Sequence, residues 1–272
     1  MEFLNKNVLI TGGSRGIGKA IAKKLASLGA NIAFVGKTVD PHPKLDGTIY
    51  TAAEEINVGP GKILPLQGDI RFEDSIHSFV QNTVEAFGGI DILINNASAI
   101  SLLPTEQIET KRFDLMHAIN VRGTFLVSKE CIPYLKNSVN PHILNLSPPL
   151  NMDPSWFGKH LPYTMSKYGM SMIVIGLAEE LRNYRIGVNA LWPKTTIATA
   201  AVQNLLGGEF LMQRSRKPEI VADAAALILQ RPSFECTGNF FIDEDVLRSS
   251  GIEDFTEYAI NPELKLMPDL FL

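Results

Sequence analysis

A chain of 272 residues with 45% hydrophobic and 20% charged residues has the composition of an ordinary globular protein and is long enough to bury one sizeable core. A net charge of -4, without a long basic stripe, argues against nucleic acid as a partner. No apolar run is long enough to span a bilayer, so no membrane partner is expected.

The first seven residues lack the positive and apolar regions of a secretory signal, and the expected location is cytoplasmic. Apolar runs then predict strands at 7–11, 31–35, 62–66, 90–95, 142–146, 187–192 and 240–242. Helical periodicity falls between most of them, at 17–28, 73–87, 113–135, 163–184 and 218–229, each bounded by turn residues or prolines. Such alternation predicts an α/β fold, a single Rossmann-type doubly wound parallel sheet with helices on both faces. No Pro/Gly/Ser-rich linker interrupts it, so residues 1–243 are read as one domain, followed by an extended segment, 244–272, that packs on the body or on a partner subunit. Cys131 and Cys236 have no metal-ligand spacing and read as reduced, buried thiols; no metal site is expected.

After the first strand comes Thr11-Gly12-Gly13-Ser14-Arg15-Gly16-Ile17-Gly18, which opens the first helix. Glycines permit a tight turn and bring a pyrophosphate close to backbone NH groups at the helix start, where the helix dipole is positive. The spacing is Gly12-x-x-x-Gly16-x-Gly18, with Ser14, Arg15 and Ile17 inside it. The second strand ends Val35-Gly36-Lys37, where an NAD-preferring site usually carries an acid for the adenosine ribose hydroxyls. Lys37 and Arg15 instead offer two cations to a 2′-phosphate, so NADP(H) is the expected cofactor; Asp40, three residues on, keeps NAD(H) open as the lesser choice.

Tyr163 and Lys167 stand four apart at the start of a predicted helix and so share one face. A free phenol titrates near pH 10, and a neighbouring ammonium makes its ionised form accessible, which is a general acid/base design.

Taken together these residues resemble the short-chain dehydrogenase/reductase family over nearly the whole chain to about Asp243. The resemblance rests on motifs in family order: the turn Thr11-Gly12 to Gly18, Asp69 after the third strand, Asn95-Asn96-Ala97 after the fourth, Asn120, Tyr163 with Lys167, and Pro193 after the sixth. It implies that Asp69 lies near the adenine and that Asn96 and Ala97 brace the central strands and cofactor. It further implies that Asn120 holds a water in a proton relay, that Tyr163 gives or takes the proton, and that Lys167 also holds the nicotinamide ribose. Pro193 and Thr195 complete the implied cofactor site. The segments Lys37-Thr38-Val39-Asp40-Pro41-His42-Pro43-Lys44, Asn145-Leu146-Ser147-Pro148-Pro149-Leu150 and Ala190-Leu191-Trp192-Pro193-Lys194-Thr195 resemble the hydroxysteroid dehydrogenase-like branch. Longer members of that branch add a sterol-carrier-type domain, which these 272 residues do not reach.

Three positions depart from the family pattern. Pro148 stands where a serine usually bonds the substrate oxygen; Ser147, one residue earlier, is the nearest candidate catalytic hydroxyl, and Asn151 and Ser155 are the alternatives. Ser98 replaces a frequent glycine, and Lys194 a usual one, adding charge near the pyrophosphate. The expected activity is interconversion of a carbonyl and an alcohol on a hydrophobic small molecule, with Trp156, Phe157 and residues 205–212 as apolar walls and lid. The alternative, prompted by Pro148, is an NADPH-binding sensor or scaffold with little catalysis; a lipid-handling or interaction module is a third. The family commonly pairs its two long helices, here 113–135 and 163–184, which implies a homodimer or homotetramer.

Overall fold

The computed structural model describes residues 2–41 and 47–272; His42, Pro43 and Lys44 of the branch-like segment lie outside them. Seven parallel strands form one sheet: β1 (Asn7–Thr11), β2 (Asn31–Gly36), β3 (Ile63–Gln67), β4 (Ile92–Asn95), β5 (His142–Asn145), β6 (Gly187–Trp192) and β7 (Phe240–Ile242). Their order is β3-β2-β1-β4-β5-β6-β7. The register pairs Leu9 of β1 with Ala33 of β2 on one side and Leu93 of β4 on the other. Successive strand side chains point to opposite faces, so every second residue enters a different core. Val8, Ile10, Ile32, Phe34, Ile92 and Ile94 pack on one face, and Leu9, Ala33, Val35 and Leu93 on the other. Burial on both sides explains why these strands read as continuous apolar runs.

Helices α1 (Gly16–Ser27) and α2 (Ile49–Ile56) cover the first face, together with α8 (Glu219–Leu229). On the second lie α3 (Glu73–Phe87), α5 (Thr124–Leu135) and α6 (Pro154–Glu180). The sequence reading missed α2, whose start is set by Thr48: its hydroxyl accepts from the Tyr50 and Thr51 amides, and the Thr51 hydroxyl accepts from the Thr48 amide. Short helices α4 (Thr110–Met116), α7 (Gly208–Met212) and α9 (Asp243–Ser249) complete the set.

The two long helices differ from their expected form in ways that bear on the site. The 113–135 helix begins at Thr110 and carries a wider π-type turn at His117–Gly123, around Asn120, before continuing as α5. The 163–184 helix begins earlier, at Pro154, breaks at His160 (φ -143°, ψ 41°) and ends at Glu180, followed by a 3-10 turn at Arg182–Tyr184. Pro162 has no amide hydrogen for the carbonyl four residues back, so the ladder is interrupted just before Tyr163. Residues 244–272 are not simply extended: α9 and a 3-10 turn at Thr256–Tyr258 form within them, and Val246, Leu247, Phe255, Tyr258 and Phe271 are buried in the same chain.

Candidate active site

The chain crosses from one half of the sheet to the other between β1 and β4, and the crevice outside the carboxyl ends of open α/β sheets at such a point is where ligands bind. A cavity of about 460 Å³ lies there. Gly12, Ser14, Arg15, Gly16 and Ile17 of the first turn line it, with Lys37 and Thr38 beyond β2, Asp69 beyond β3, and Asn96 and Ala97 beyond β4. Three-dimensional folding thus joins nine of the predicted cofactor residues in one wall.

The turn is built for close approach. Gly12 has φ +68° and lies against Ala97. At Gly18 a Cβ would fall on the Asn96 amide and the Gly12 carbonyl, which explains why Gly18 braces the turn from behind rather than lining the cavity. Asn96 Nδ2 donates to the carbonyls of Thr11 (3.1 Å) and Gly12 (2.9 Å), tying the turn to β4. Helix α1 starts at Arg15 with no side-chain cap and no acid in its first turn, which leaves its positive end for an anion.

Beyond β3, Asp69 is gripped by Arg71, with Nε at 3.0 Å from both carboxylate oxygens and the terminal nitrogen at 2.6 Å from Oδ2. Burial opposes its ionisation, but the Arg71 bonds and the Lys37 charge outweigh it and hold the carboxyl below its ordinary value. Arg71, two residues after Asp69, was missed in the sequence, where Asp-x-Arg spacing was the available signal. Lys37 Nζ stands 3.6 Å from Asp69 Oδ2 with 60% of its side chain exposed, and an Arg15 guanidinium nitrogen donates to Thr38 Oγ1 at 3.0 Å.

Beyond the cavity lies the predicted chemistry. Asn120 is wholly buried; its amide donates to the Ala99 carbonyl (2.9 Å) and Ser166 Oγ (3.0 Å), and its oxygen accepts from the Ala99 amide (2.7 Å). It therefore locks the loop after β4 to the helix bearing Tyr163, from a position inside the π-type turn. Lys167 is buried, donating to the Leu146 carbonyl (2.6 Å) and Met170 Sδ (3.3 Å), with its Nζ 5.0 Å from the Trp192 ring centre. Burial lowers its pKa to about 7, partly offset by Asp269. Burial first, and then the Asp269 charge, push the Tyr163 phenol well above its ordinary value. This departs from the expectation that Lys167 makes the phenolate accessible: burial and the Asp269 charge both disfavour the ionised phenol.

Tyr163, Lys167, Pro193 and Thr195 do not line this cavity; a strap of residues 267–271 lies against Tyr163, Trp192 and Thr195. Ser147 is fully buried with its Oγ unpartnered among the described residues, as is Thr195 Oγ1. Of the alternative donors, Ser155 is exposed in the first turn of α6, whereas Asn151 is half-buried and its Nδ2 reaches the Phe271 carbonyl at 3.5 Å. Trp156 and Phe157 do pack around this region. Leu205 and Phe210 are exposed. Lys194 is turned toward α9, with Nζ 3.7 Å from Asp245 and its backbone amide on Asp243.

Known proteins match this chain in sequence and in fold over most of its length. The family profile described as short chain dehydrogenase matches residues 6–208. A short chain dehydrogenase structure from Mycobacterium thermoresistibile superposes with a TM-score of 0.93 at 55% identity, covering 99% of this chain and 95% of that one. A metagenomic short-chain oxidoreductase in complex with NADP superposes with a TM-score of 0.72 at 25% identity, covering 89% and 98%. The chain belongs to the short-chain dehydrogenase/reductase family of oxidoreductases. Within it, the chain is similar to human hydroxysteroid dehydrogenase-like protein 2, at 58% identity over 265 residues, 97% of this chain and 63% of the human protein. It spans less than two thirds of the length of that and several other curated relatives.

Proposed function

We propose that the chain is an NADP(H)-dependent oxidoreductase that interconverts a carbonyl and an alcohol on an apolar small molecule, with Tyr163 as the acid/base. The observation that carries this reading is a single glycine-lined cavity with two cations, Arg15 and Lys37, at its adenosine end, beyond which the Tyr163 and Lys167 pair stands on α6. The residues fit a nicotinamide dinucleotide: a Gly12 to Gly18 cradle with no room for side chains at Gly18, an uncapped helix start for the pyrophosphate, and an orphaned Thr195 hydroxyl past β6 for the nicotinamide end.

Gly12, Ser14, Arg15, Gly16 and Ile17 would hold the pyrophosphate, Lys37 with Arg15 the 2′-phosphate, Asp69 the adenine surroundings, and Asn96 with Ala97 the middle of the ligand. Lys167, Pro193 and Thr195 would hold the nicotinamide ribose and ring. When bound, the cofactor supplies or accepts the hydride. Tyr163 gives its phenolic proton to the carbonyl oxygen in reduction and takes it back in oxidation. Asn120 bonds the Ala99 backbone and the Ser166 hydroxyl and so holds the loop after β4 against the helix that bears Tyr163, and Ser147 offers a buried hydroxyl near the end of β5. The apolar character proposed for the substrate is supported by the cluster of Met116, Tyr163, Tyr168, Trp192 and Phe271, with Trp156 and Phe157 packed on it. A cytoplasmic site of action and self-association through α5 and α6, which expose Phe125, Met165, Met172 and Ile175, belong to the same reading.

Calorimetric titration with NADPH and NADH, followed by a carbonyl and alcohol screen, tests it. Preferred NADPH binding and turnover lost in Tyr163→Phe are expected; full turnover in that variant on an identified substrate overturns the mechanism. A second reading, an NADPH sensor with little catalysis, is favoured by Pro148 at the usual serine position. NADPH binding with no turnover across the screen would select it.

A further inference from the structure

Residues 267–271 run antiparallel to the segment after β6. The Met267 carbonyl accepts from the Thr196 amide (2.9 Å), the Asp269 amide donates to the Lys194 carbonyl (3.2 Å), and Thr195 bridges Pro268. Trp192 Nε1 then donates to the Leu270 carbonyl (2.9 Å), and Asn151 Nδ2 approaches that of Phe271. These bonds deliver Phe271, at φ +74°, into a box of aromatic rings. Its centroid lies 5.6 Å from Trp156, 5.3 Å from Tyr168, 6.0 Å from Trp192 and 6.2 Å from Tyr163. Phe271 is 1% exposed, and Tyr163 and Lys167 beneath the strap are 5% and 2%.

This placement is incompatible with chemistry at Tyr163. A substrate oxygen must come within hydrogen-bond reach of the phenol, and the strap covers that approach. The cover is also a poor fit to what it covers. Asp243 Oδ2 is buried without a partner among the described residues, and the Asp269 carboxyl is carried inside, toward Lys167 of α6 and Asp243 at the start of α9. A permanent wall would be expected to satisfy its polar neighbours. An occupant that leaves has no such requirement.

We propose that Pro268 to Phe271 are an internal occupant of the substrate site, with the Phe271 ring holding the slot taken by a ring-sized apolar group of the carbonyl substrate, so that substrate and strap compete. The inference rests on the reading of Tyr163 as the reaction centre. It adds that the resting site is closed by its own chain, and that the substrates which open it carry an aromatic or alicyclic group of about the size of a phenyl ring. Small aliphatic ketones, which cannot replace the Phe271 contacts, enter poorly.

The test uses the full chain with saturating NADP⁺. Both tryptophans of the chain touch Phe271, so acrylamide quenching of their fluorescence reports the strap directly. The affinity for 4-phenyl-2-butanone is measured by ligand-observed NMR, with acetone as the small comparison. Phe271→Ala is expected to raise quenching at least twofold and to tighten 4-phenyl-2-butanone binding about tenfold. Asp269→Asn keeps the bond from the Leu270 amide; burial raises the Asp269 pKa to about 7, so at pH 8 the variant removes a buried charge and is expected to move both readouts the opposite way, a result that misfolding would not produce. Unchanged quenching in Phe271→Ala, weaker binding of the phenyl ketone in that variant, or no binding of it to either protein overturns the proposal. If both readouts move as expected but no carbonyl is turned over, the strap stands and the catalytic reading fails.

Discussion

Replacing Lys37 by alanine tests the cofactor assignment at one atom. Asp69 is held chiefly by two-pronged contact with Arg71, and the Lys37 ammonium, 3.6 Å away and largely exposed, adds only a charge at longer range. Its charge is available to a 2′-phosphate. A hydrogen bond to a charged group contributes about 1.5–3 kcal/mol, and with 60% of the Lys37 side chain exposed solvent screening selects the low end. About 1.5 kcal/mol corresponds to about a tenfold rise in the NADPH dissociation constant. NADH, which has no phosphate there, should change less than about twofold on the same scale. Arg15→Ala adds to this less than its own single effect, because both cations act on one group. Calorimetry at low salt and again near 0.5 M separates the cases, since the NADPH advantage of the native protein shrinks as the Debye length falls. Equal losses for NADPH and NADH, or none for either, would refute the argument and reopen Asp40 as the ribose partner.

Three further outcomes are expected. His142 is buried, its Nε2–H donating to the Arg231 carbonyl (3.0 Å), and desolvation lowers its pKa from 6.5 to about 4. The unfolded chain takes up a proton below about pH 6.5 that the folded chain refuses until about pH 4, so stability falls across that window, by about 3 kcal/mol in all. Urea midpoints at pH 7.5 and 5 should differ more for the native protein than for His142→Gln; equal differences refute it. Gly18→Ala drives a methyl into the Asn96 amide and should cost about 1–3 kcal/mol of stability while weakening NADPH and NADH alike, read by denaturant midpoint and calorimetry. Ser147→Ala removes a buried hydroxyl that has no partner among the described residues, so stability should hold or rise. A fall in kcat of about a hundredfold marks it as the substrate's donor, whereas an unchanged kcat moves that role to Asn151.

The amino-acid order by itself determines the sheet and the nucleotide half of the site. Strand runs buried on both faces, a glycine turn between a strand and a helix, and a cation past β2 are local patterns, because each depends on residues within a turn or two of one another. The bounds of β1, β6 and β7, and the placing of Gly12, Arg15 and Lys37 around one cavity, followed from that logic, whereas Asp69 and Asn96 were placed there by the family resemblance. Irregularities were harder to read. The π-type turn around Asn120 leaves no mark in an apolar periodicity, and the break at His160 is decided by Pro162 and by the bond from His160 to the Leu102 carbonyl, 58 residues away. What only the tertiary structure decided is the state of Tyr163 and Lys167. Their spacing puts phenol and ammonium on one helix face, but whether that pair is tuned for proton transfer depends on solvent, and solvent is excluded by Phe271 and Asp269, more than a hundred residues further along the chain. Desolvation is a property of everything packed around a group and has no period in sequence.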